Sequence, residues 1–215
     1  IADPDAAARL IRVLGASSGL GDFLARHPRE LQALATPITA PPTEYGADLL
    51  AAVDGLKGDA AWVALRVRYR RHLVQLAAWD LEHADPIAAV SIVAAALADL
   101  SGAALDASLA VARRDVKFPA EEVAATRLAI IGMGKAGARE LNYVSDVDVI
   151  FVGEAGGLDG ESTLADDRAV TIATQLAMQT MRGIHDLATE PGLWEVDANL
   201  RPEGKDGALV RTLES

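Results

Sequence analysis

Two aspartates at alternate positions open an apolar, strand-like run, and this arrangement restricts the fold more than any other feature of the chain. The segment Ser145-Asp146-Val147-Asp148 leads directly into the apolar residues 149–152. Residues two apart in a strand share a face, about 6.6 Å apart, so Asp146 and Asp148 are expected to project together while the intervening valine faces the core. Carboxylates in such a strand are costly to bury unless they are paired or bind a cation.

A third aspartate and a glycine-rich segment extend the pattern. Asp197 lies in the strand-like stretch 193–200, and Gly132-Met133-Gly134-Lys135-Ala136-Gly137 precedes the first two aspartates. Paired carboxylates can hold hard cations, and two-metal sites use ions about 3.5–4 Å apart. Taken singly, each aspartate also fits a turn, an exposed edge or a hairpin. The three together, beside a glycine loop that could cradle phosphate, indicate metal-assisted chemistry on a nucleotide phosphate.

The glycine segment also matches the dinucleotide-binding pattern G-x-G-x-x-G, and Glu154 lies about 20 residues further on, where a ribose-binding acid is expected. Two features count against that interpretation. The second strand of a Rossmann unit is buried on both faces and continuously apolar, whereas this one begins with two aspartates. The helix between the strands would also have only two turns, which is short for a parallel crossover. A dinucleotide-binding domain is therefore a minority hypothesis.

Composition limits the classes of fold, metal site and partner that remain. Of the 215 residues, 51% are hydrophobic but only 4% are aromatic, which permits a sizeable core and favours close-packed helices. The chain has no cysteine, so disulfides and thiolate metal sites are excluded. The net charge of −11 makes a nucleic-acid partner unexpected. Because no signal sequence opens the chain and no apolar run spans a bilayer, we expect a soluble, cytoplasmic protein without a membrane partner.

The sequence pattern changes from purely helical to mixed strand and helix along the chain, which predicts an α+β fold. Residues 1–117 read as a helical domain, and residues 118–215 as a mixed-sheet core that the chain end cuts short. The predicted helices cover 6–14, 22–35 after a break at Gly19-Leu20-Gly21, 59–83, and a helix opened by Asp85-Pro86. In the second part we expect strands at 127–131, 146–152 and 193–200, helices at 135–142 and from Ser162 or Thr163 to about 187, and a hairpin partner at 208–212. The arginines between 66 and 71 read as a solvated helix face paired with acids.

Two segments together resemble a known family. The first reads Gly132-Met133-Gly134-Lys135-x-Gly137-x-Arg139-Glu140-Leu141-Asn142-Tyr143-x-Ser145-Asp146-x-Asp148-x-Ile150-Phe151, and the second reads Val196-Asp197-x-x-Leu200-Arg201-Pro202-x-Gly204-x-x-Gly207-x-Leu209-Val210. They closely resemble the nucleotidyltransferase core of the glutamine synthetase adenylyltransferase/adenylyl-removing enzyme family. The resemblance covers roughly residues 127–212. Ala136 and Ala138 stand where leucine and glycine are expected, which affects loop packing more than chemistry.

The resemblance implies a polymerase-beta-type nucleotidyltransferase core and assigns roles to seven residues. Asp146 and Asp148 would ligate Mg²⁺, or Mn²⁺, and Asp197 would be a third ligand or orient the attacking phosphate. Ser145 and the amides around Gly134 would contact nucleotide phosphate, and Lys135 and Arg201 are further candidates for phosphate contacts. A pair between Arg201 and Glu203 or Asp197 is an equal alternative.

The same resemblance suggests which reaction the core performs. The residues Gly132-Met133-Gly134-Lys135 and 139–143 are more similar to the N-terminal, adenylyl-removing half of these enzymes than to the attaching half. That half is expected to act by phosphorolysis, in which phosphate attacks the adenylyl phosphorus and releases ADP and free tyrosine. ATP-dependent adenylylation and an inert regulatory fragment remain as alternatives. The implied partners are glutamine synthetase, a PII-type nitrogen-signalling protein, nucleotide and phosphate.

Overall fold

The computed structural model describes residues 3–156, 164–201 and 203–213, and its N-terminal part is helical. The helices are α1 (Pro4–Ala16), α2 (Ser18–Arg26), a 3₁₀ helix (Pro28–Leu34), α3 (Tyr45–Ala52), α4 (Gly58–Glu82) and α5 (Pro86–Asp115). The remaining elements are α6 (Ala120–Ala124), β1 (Thr126–Gly132), α7 (Gly134–Gly137), β2 (Val147–Ala155), α8 (Asp166–His185), β3 (Val196–Asp197), a 3₁₀ turn (Gly204–Asp206) and β4 (Val210–Arg211). A mostly helical chain with a small mixed sheet confirms the predicted α+β class.

The long helices follow their sequence signals closely. Asp85 accepts hydrogen bonds from the backbone amides of Ile87 and Ala88, so it caps α5 as predicted. Gly102 lies inside α5 and does not interrupt it. The helix predicted at 59–83 is α4, with both ends within one residue of the expected positions.

The first helical boundary was predicted wrongly. Gly19 and Gly21 lie inside α2, and the chain turns instead at Ser17, whose side chain caps α2 by accepting from the amide of Leu20. A glycine within a helix costs only about 1 kcal/mol, whereas a serine cap stabilises a helix start. The helix predicted to continue to residue 35 stops at Arg26, because Pro28 follows and starts a 3₁₀ turn.

The sheet is organised around β2. β1 runs antiparallel to it along one edge, with Ile130 opposite Phe151. On the other edge β3 and β4 both run parallel to β2, one after the other. The antiparallel pairing of β1 and β2 excludes a Rossmann unit, whose first two strands are parallel. The predicted hairpin between 193–200 and 208–212 is also wrong, since both segments pair with β2 over only two residues each.

Packing explains the remaining differences around β2. The strand predicted at 146–152 extends to Ala155, and it needs glycine at position 153, where a Cβ would come within 2.8 Å of side-chain atoms of Ala173 on α8 and Val210 on β4. The expected caps Ser162 and Thr163 lie outside the described residues, and the described helix α8 begins after Ala165 and ends at His185. α8 covers the sheet and packs on α5.

One hydrophobic core crosses the predicted boundary between 117 and 118. Leu65 on α4 and Leu100 on α5 belong to the same buried cluster as Phe151 on β2 and Ala177 on α8. The division into two domains therefore stays a prediction, because this cluster joins helices α3, α4 and α5 to the sheet and to α8.

Helix α5 also corrects the expectation that no segment could span a bilayer. By length and composition alone, this helix is apolar enough to cross a membrane. Half of its most apolar stretch is buried within the fold, where α5 packs against α3, α4 and α8. Core packing thus accounts for much of its apolar character.

Arg66 departs most from its predicted place on a solvated face. Its side chain is 0% exposed, and its guanidinium donates to the carbonyl oxygens of Gly183, Arg182 and Glu190. A buried arginine is tolerated only when its donors are satisfied. Arg66 therefore fastens α4 to the C-terminal end of α8 and to the segment beyond it. Arg68 and Arg71 do pair with acids, Asp48 and Glu30, as predicted.

Candidate active site

The structure brings Asp146, Asp148 and Asp197 together at one end of the sheet. Asp148 on β2 lies directly opposite Asp197 on β3 in the parallel register, and Asp146 precedes β2. One carboxylate oxygen from each residue lies within 4.8 Å of the other two. Along β2, Val147, Val149 and Phe151 are buried whereas Asp148 is half-buried, so the alternation places the acid on the face predicted from the sequence.

Main-chain hydrogen bonds fix these positions. The amide of Val147 donates to the carbonyl oxygen of Glu195 at 2.9 Å, which joins β2 to β3. The amide of Met133 donates to the carbonyl oxygen of Asp148 at 2.8 Å, which holds the glycine segment beside β2. Asp197 accepts from the amide of Asn199 at 2.7 Å. Backbone pairing therefore fixes Asp148 and Asp197 opposite each other, and Asp146 follows from its place directly before β2.

Glycine is required at position 134 by both space and conformation. The φ angle of Gly134 is +51°, and a Cβ there would lie 2.7 Å from Oδ2 of Asp148. Gly137 is equally restricted, because its Cβ would lie 2.3 Å from the carbonyl oxygen of Gly132. The glycine segment thus lies directly against the acid cluster. The helix predicted at 135–142 is only Gly134–Gly137, so a helix dipole contributes little here and any phosphate contact would come from the loop itself.

Lys135 and Ser145 lie beside the cluster in a short polar chain. The Lys135 ammonium donates to Oγ of Ser145 and to Oδ1 of Asn142, both at 3.2 Å. The Ser145 hydroxyl in turn donates to Oδ1 of Asp146 at 3.3 Å. This arrangement places one exposed positive charge near the acids, in a position to contact an anionic ligand.

The guanidinium of Arg201 bonds to main-chain carbonyl oxygens rather than to either acid predicted as its partner. Its guanidinium donates to the carbonyl oxygens of Ala198, Lys205 and Gly207, so it closes the turn after β3. The predicted pair with Glu203 or Asp197 does not form in the described residues, and Glu203 pairs instead with Arg211. A phosphate contact from Arg201 would require it to give up some of these turn hydrogen bonds.

Two contacts that sequence reasoning missed attach the loop before Asp146 to the helical part. Arg139, which has a φ angle of +58°, pairs with Asp99 on α5 at 2.6 Å. The hydroxyl of Tyr143 donates to Asp80 on α4 at 3.0 Å. Burial, together with the Asp80 carboxylate, raises the pKa of Tyr143 and keeps that hydroxyl protonated. The partners are 40 and 63 residues apart, so no local pattern could have revealed them.

The donor set suits a hard divalent cation. Three carboxylates whose oxygens approach this closely repel one another unless a cation or a proton intervenes, and no ion pair within the described ranges involves them. Carboxylate oxygens are the ligands preferred by Mg²⁺ and Mn²⁺. The cluster therefore fits such an ion, and metal binding by these residues stays a prediction.

A mixed sheet with two aspartates on its central strand, a third on a parallel neighbour and a glycine loop against them defines a nucleotidyltransferase-like core. Comparison with known sequences supports this class: the family model described as "Glutamate-ammonia ligase adenylyltransferase" matches residues 7–215. The chain belongs to the glutamate-ammonia ligase adenylyltransferase family.

The curated relatives are named for two activities, and their chains are longer than this one. The chain is 61% identical to a bifunctional glutamine synthetase adenylyltransferase/adenylyl-removing enzyme of Leifsonia xyli, over 97% of this chain and 22% of the relative. Proteins of the same name from Streptomyces avermitilis and Cutibacterium acnes are 48% and 43% identical, over 96% and 100% of this chain and 19% and 22% of the relatives. The chain thus spans about a fifth of the length of these relatives.

Proposed function

We propose that this chain is the core that removes AMP from an adenylylated tyrosine of glutamine synthetase, using inorganic phosphate as the attacking group. The observation that carries the proposal is the convergence of Asp146, Asp148 and Asp197 beside Gly134. The names of the relatives include both adenylyl transfer and adenylyl removal, and the similarity of 132–143 to the removing half favours removal.

In this proposal the three aspartates hold Mg²⁺, or Mn²⁺, in the cluster described above. The bound ion would supply charge neutralisation for the phosphates and for the leaving oxygen. The chain's own residues orient the reactants. Lys135 and Ser145 contact a phosphate group of the attacking anion or of the nucleotide. Because Gly134 has no side chain, the loop lies directly against Asp148. Positioning supplies much of the rate in phosphoryl-type transfer.

The reaction is balanced without any further reagent. A phosphate oxygen forms a bond to the adenylyl phosphorus while the bond from that phosphorus to the tyrosine oxygen breaks. The proton of hydrogen phosphate goes to the tyrosine oxygen, and the products are ADP and unmodified tyrosine. We further propose a cytoplasmic location and contact with a PII-type signalling protein, on the strength of the family resemblance.

The test uses the full-length protein that contains this chain. With adenylylated glutamine synthetase, Mg²⁺ and phosphate, we expect release of ADP that depends on phosphate and stops in the presence of a chelator. Pyrophosphate release from ATP with unmodified glutamine synthetase, lost on changing Asp148 in this core, would support the opposite reaction instead. If changing Asp148 altered neither reaction, the core would be an inert regulatory module.

A further inference from the structure

A cavity of about 540 Å³ lies between the helical part and the loop that leads to Asp146. This groove runs between α1, α2 and α4, and residues 143 and 144 close one side of it. Most of its wall is apolar, contributed by Val13, Leu20, Leu73, Ala77, Leu81 and Val144. Its volume lies in the range of sites that bind small ligands or single large side chains, about 300–1,000 Å³.

The rim of the groove is apolar, exposed and close to the candidate active site. Val144 is 89% exposed and Leu81 is 42% exposed, so two aliphatic side chains border the opening. Val144 lies two residues before Asp146, and their Cα atoms are therefore no more than about 7.6 Å apart. Tyr143 also lines the groove and is held by its hydrogen bond to Asp80.

The acids around the groove, Asp22, Asp80 and the adjacent Glu190, outnumber Arg26 and Arg70, which favours a basic group in the ligand. Arg70 and Arg26 also line the cavity, but both pair with Glu190, and Arg70 also donates to the carbonyl oxygens of Pro191 and Gly192. Asp22, also in the wall, makes no side-chain hydrogen bond or ion pair with any described residue. The groove thus offers an apolar floor and an unneutralised carboxylate.

From these observations we propose that the groove is a docking site for the protein substrate. It takes an apolar side chain, next to a basic residue, from the surface of glutamine synthetase near the modified tyrosine. This inference rests on the proposed function, since a reaction at a protein-borne tyrosine requires contact with residues around it. The short distance from Val144 to Asp146 lets one protein surface reach the groove while its tyrosine reaches the acids.

Gly19 permits a selective test in the full-length protein. It lines the groove on α2, its conformation is helical, and a Cβ there would meet nothing closer than Oγ of Ser17 at 3.9 Å. Gly19→Leu fills the groove and also favours the helix. Gly46→Leu on α3 is the matched control, because Gly46 is also helical, has no atom within 4 Å of its Cβ and does not line the groove.

We expect Gly19→Leu to raise the KM for adenylylated glutamine synthetase about tenfold, with little change in kcat. Removal of AMP from the adenylyl ester of N-acetyl-tyrosine amide, which lacks flanking residues, should be unchanged. Gly46→Leu should match the wild type with both substrates. An unchanged KM for the protein substrate, or equal losses with both substrates, would overturn the proposal.

A binding titration separates this proposal from the proposed function. If the wild type released no ADP from either substrate, the proposed reaction would fail, but its affinity for adenylylated glutamine synthetase could still be compared with that of Gly19→Leu. Affinity weakened about tenfold supports docking in the groove, and equal affinity overturns it.

A second titration tests the charge of the groove. Asp22→Asn should weaken the affinity for adenylylated glutamine synthetase about threefold at low salt, whereas Asp54→Asn, an exposed site outside the groove, should not. Equal affinities for these two variants would overturn the basic-residue part.

Discussion

Glu190 and the three aspartates of the candidate active site are all acidic, but they differ in burial and in their positively charged neighbours. Glu190 is 3% exposed and is bonded to Arg26, His27 and Arg70. Asp146 is exposed, Asp148 and Asp197 are half-buried, and none of the three has a basic ion-pair partner among the described residues. One acid is enclosed and neutralised by its own chain, whereas the other three have no positive partner among the described residues.

The difference is visible in the protonation of Glu190. Burial alone would raise its pKa, but the hydrogen bonds from His27 and Arg26 and the charge of Arg70 outweigh burial, so the pKa lies below the usual value. A neutralised, buried carboxylate stabilises the fold and has no spare coordination. An open cluster costs stability through repulsion and is kept where a ligand repays that cost. The comparison therefore separates an acid that its own chain neutralises from three acids that fit the proposed metal site.

The largest expected effect is on activity. Asp148→Asn in the full-length protein should lower AMP removal about 1,000-fold, because a ligand at the centre of the cluster is lost. Without divalent ion, the free energy of unfolding should stay the same or rise, since repulsion among the acids decreases. ADP release and denaturant unfolding measure the two quantities. Glu154→Gln, on the same strand but paired with Arg127, is the control, and retention of more than a tenth of the activity by Asp148→Asn would contradict the assignment.

Glu190→Gln should show the reverse pattern. Removing the charge leaves Arg70 and its neighbours without their buried partner, so we expect a loss of about 3 kcal/mol in the free energy of unfolding. The acid cluster should keep its metal affinity in the fraction that remains folded. Urea denaturation measures the loss, with Glu154→Gln, an exposed pair worth under about 1 kcal/mol, for comparison. Similar midpoints for these two variants would show that Glu190 is not the structural anchor described here.

Divalent ions should stabilise only the open cluster. At ten times its dissociation constant, Mn²⁺ or Mg²⁺ should add about 1.4 kcal/mol to the free energy of unfolding of the wild type. Asp148→Asn should gain much less, whereas Glu190→Gln should gain as much as the wild type. Thermal denaturation with and without the ion gives the shift. A gain of equal size in Asp148→Asn would place the binding site elsewhere.

The smallest expected effect is on acid stability. Because the folded pKa of Glu190 is lowered, its contribution is fully present above the ordinary glutamate value of 4.5 and is lost as pH falls through the folded pKa. Glu190→Gln should therefore lose less stability than the wild type between pH 4.5 and 3. His72, whose pKa burial lowers, destabilises both proteins as pH falls below 6.5. Parallel curves for the two proteins below pH 4.5 would contradict this assignment.

Local patterns predicted the parts of the fold that local physics determines. The spacing of apolar residues gave α4, the Asp85-Pro86 start gave α5, and the alternation at 146–152 gave the face on which Asp148 lies. The approach of Asp197 was expected from its strand-like setting and from the family resemblance. The two-residue length of β3 and the parallel pairing of β4 were missed, because pairing with a distant strand leaves little trace in a short segment.

Polar contacts between distant segments could not be predicted from the sequence. The sequence pattern places Arg66 together with Arg68 and Arg71 on one solvated helix face, yet the partner carbonyls of Arg66 are more than 110 residues further along the chain. The same holds for the contacts of Arg139 and Tyr143 with α5 and α4. Amphipathic spacing tells which face of a helix is apolar, but it does not tell which charged side chain another element will enclose.

The register of β2 against β3 makes the candidate site sensitive to the length of one strand. Since side chains alternate along a strand, deleting Val149 while the rest of β2 keeps its pairing with β1 would turn the preceding side chains to the opposite face. Valine would then replace an acid opposite Asp197, and an acid would enter the apolar interior. A one-residue change in strand length would therefore break up the acid cluster and weaken the apolar core at the same time.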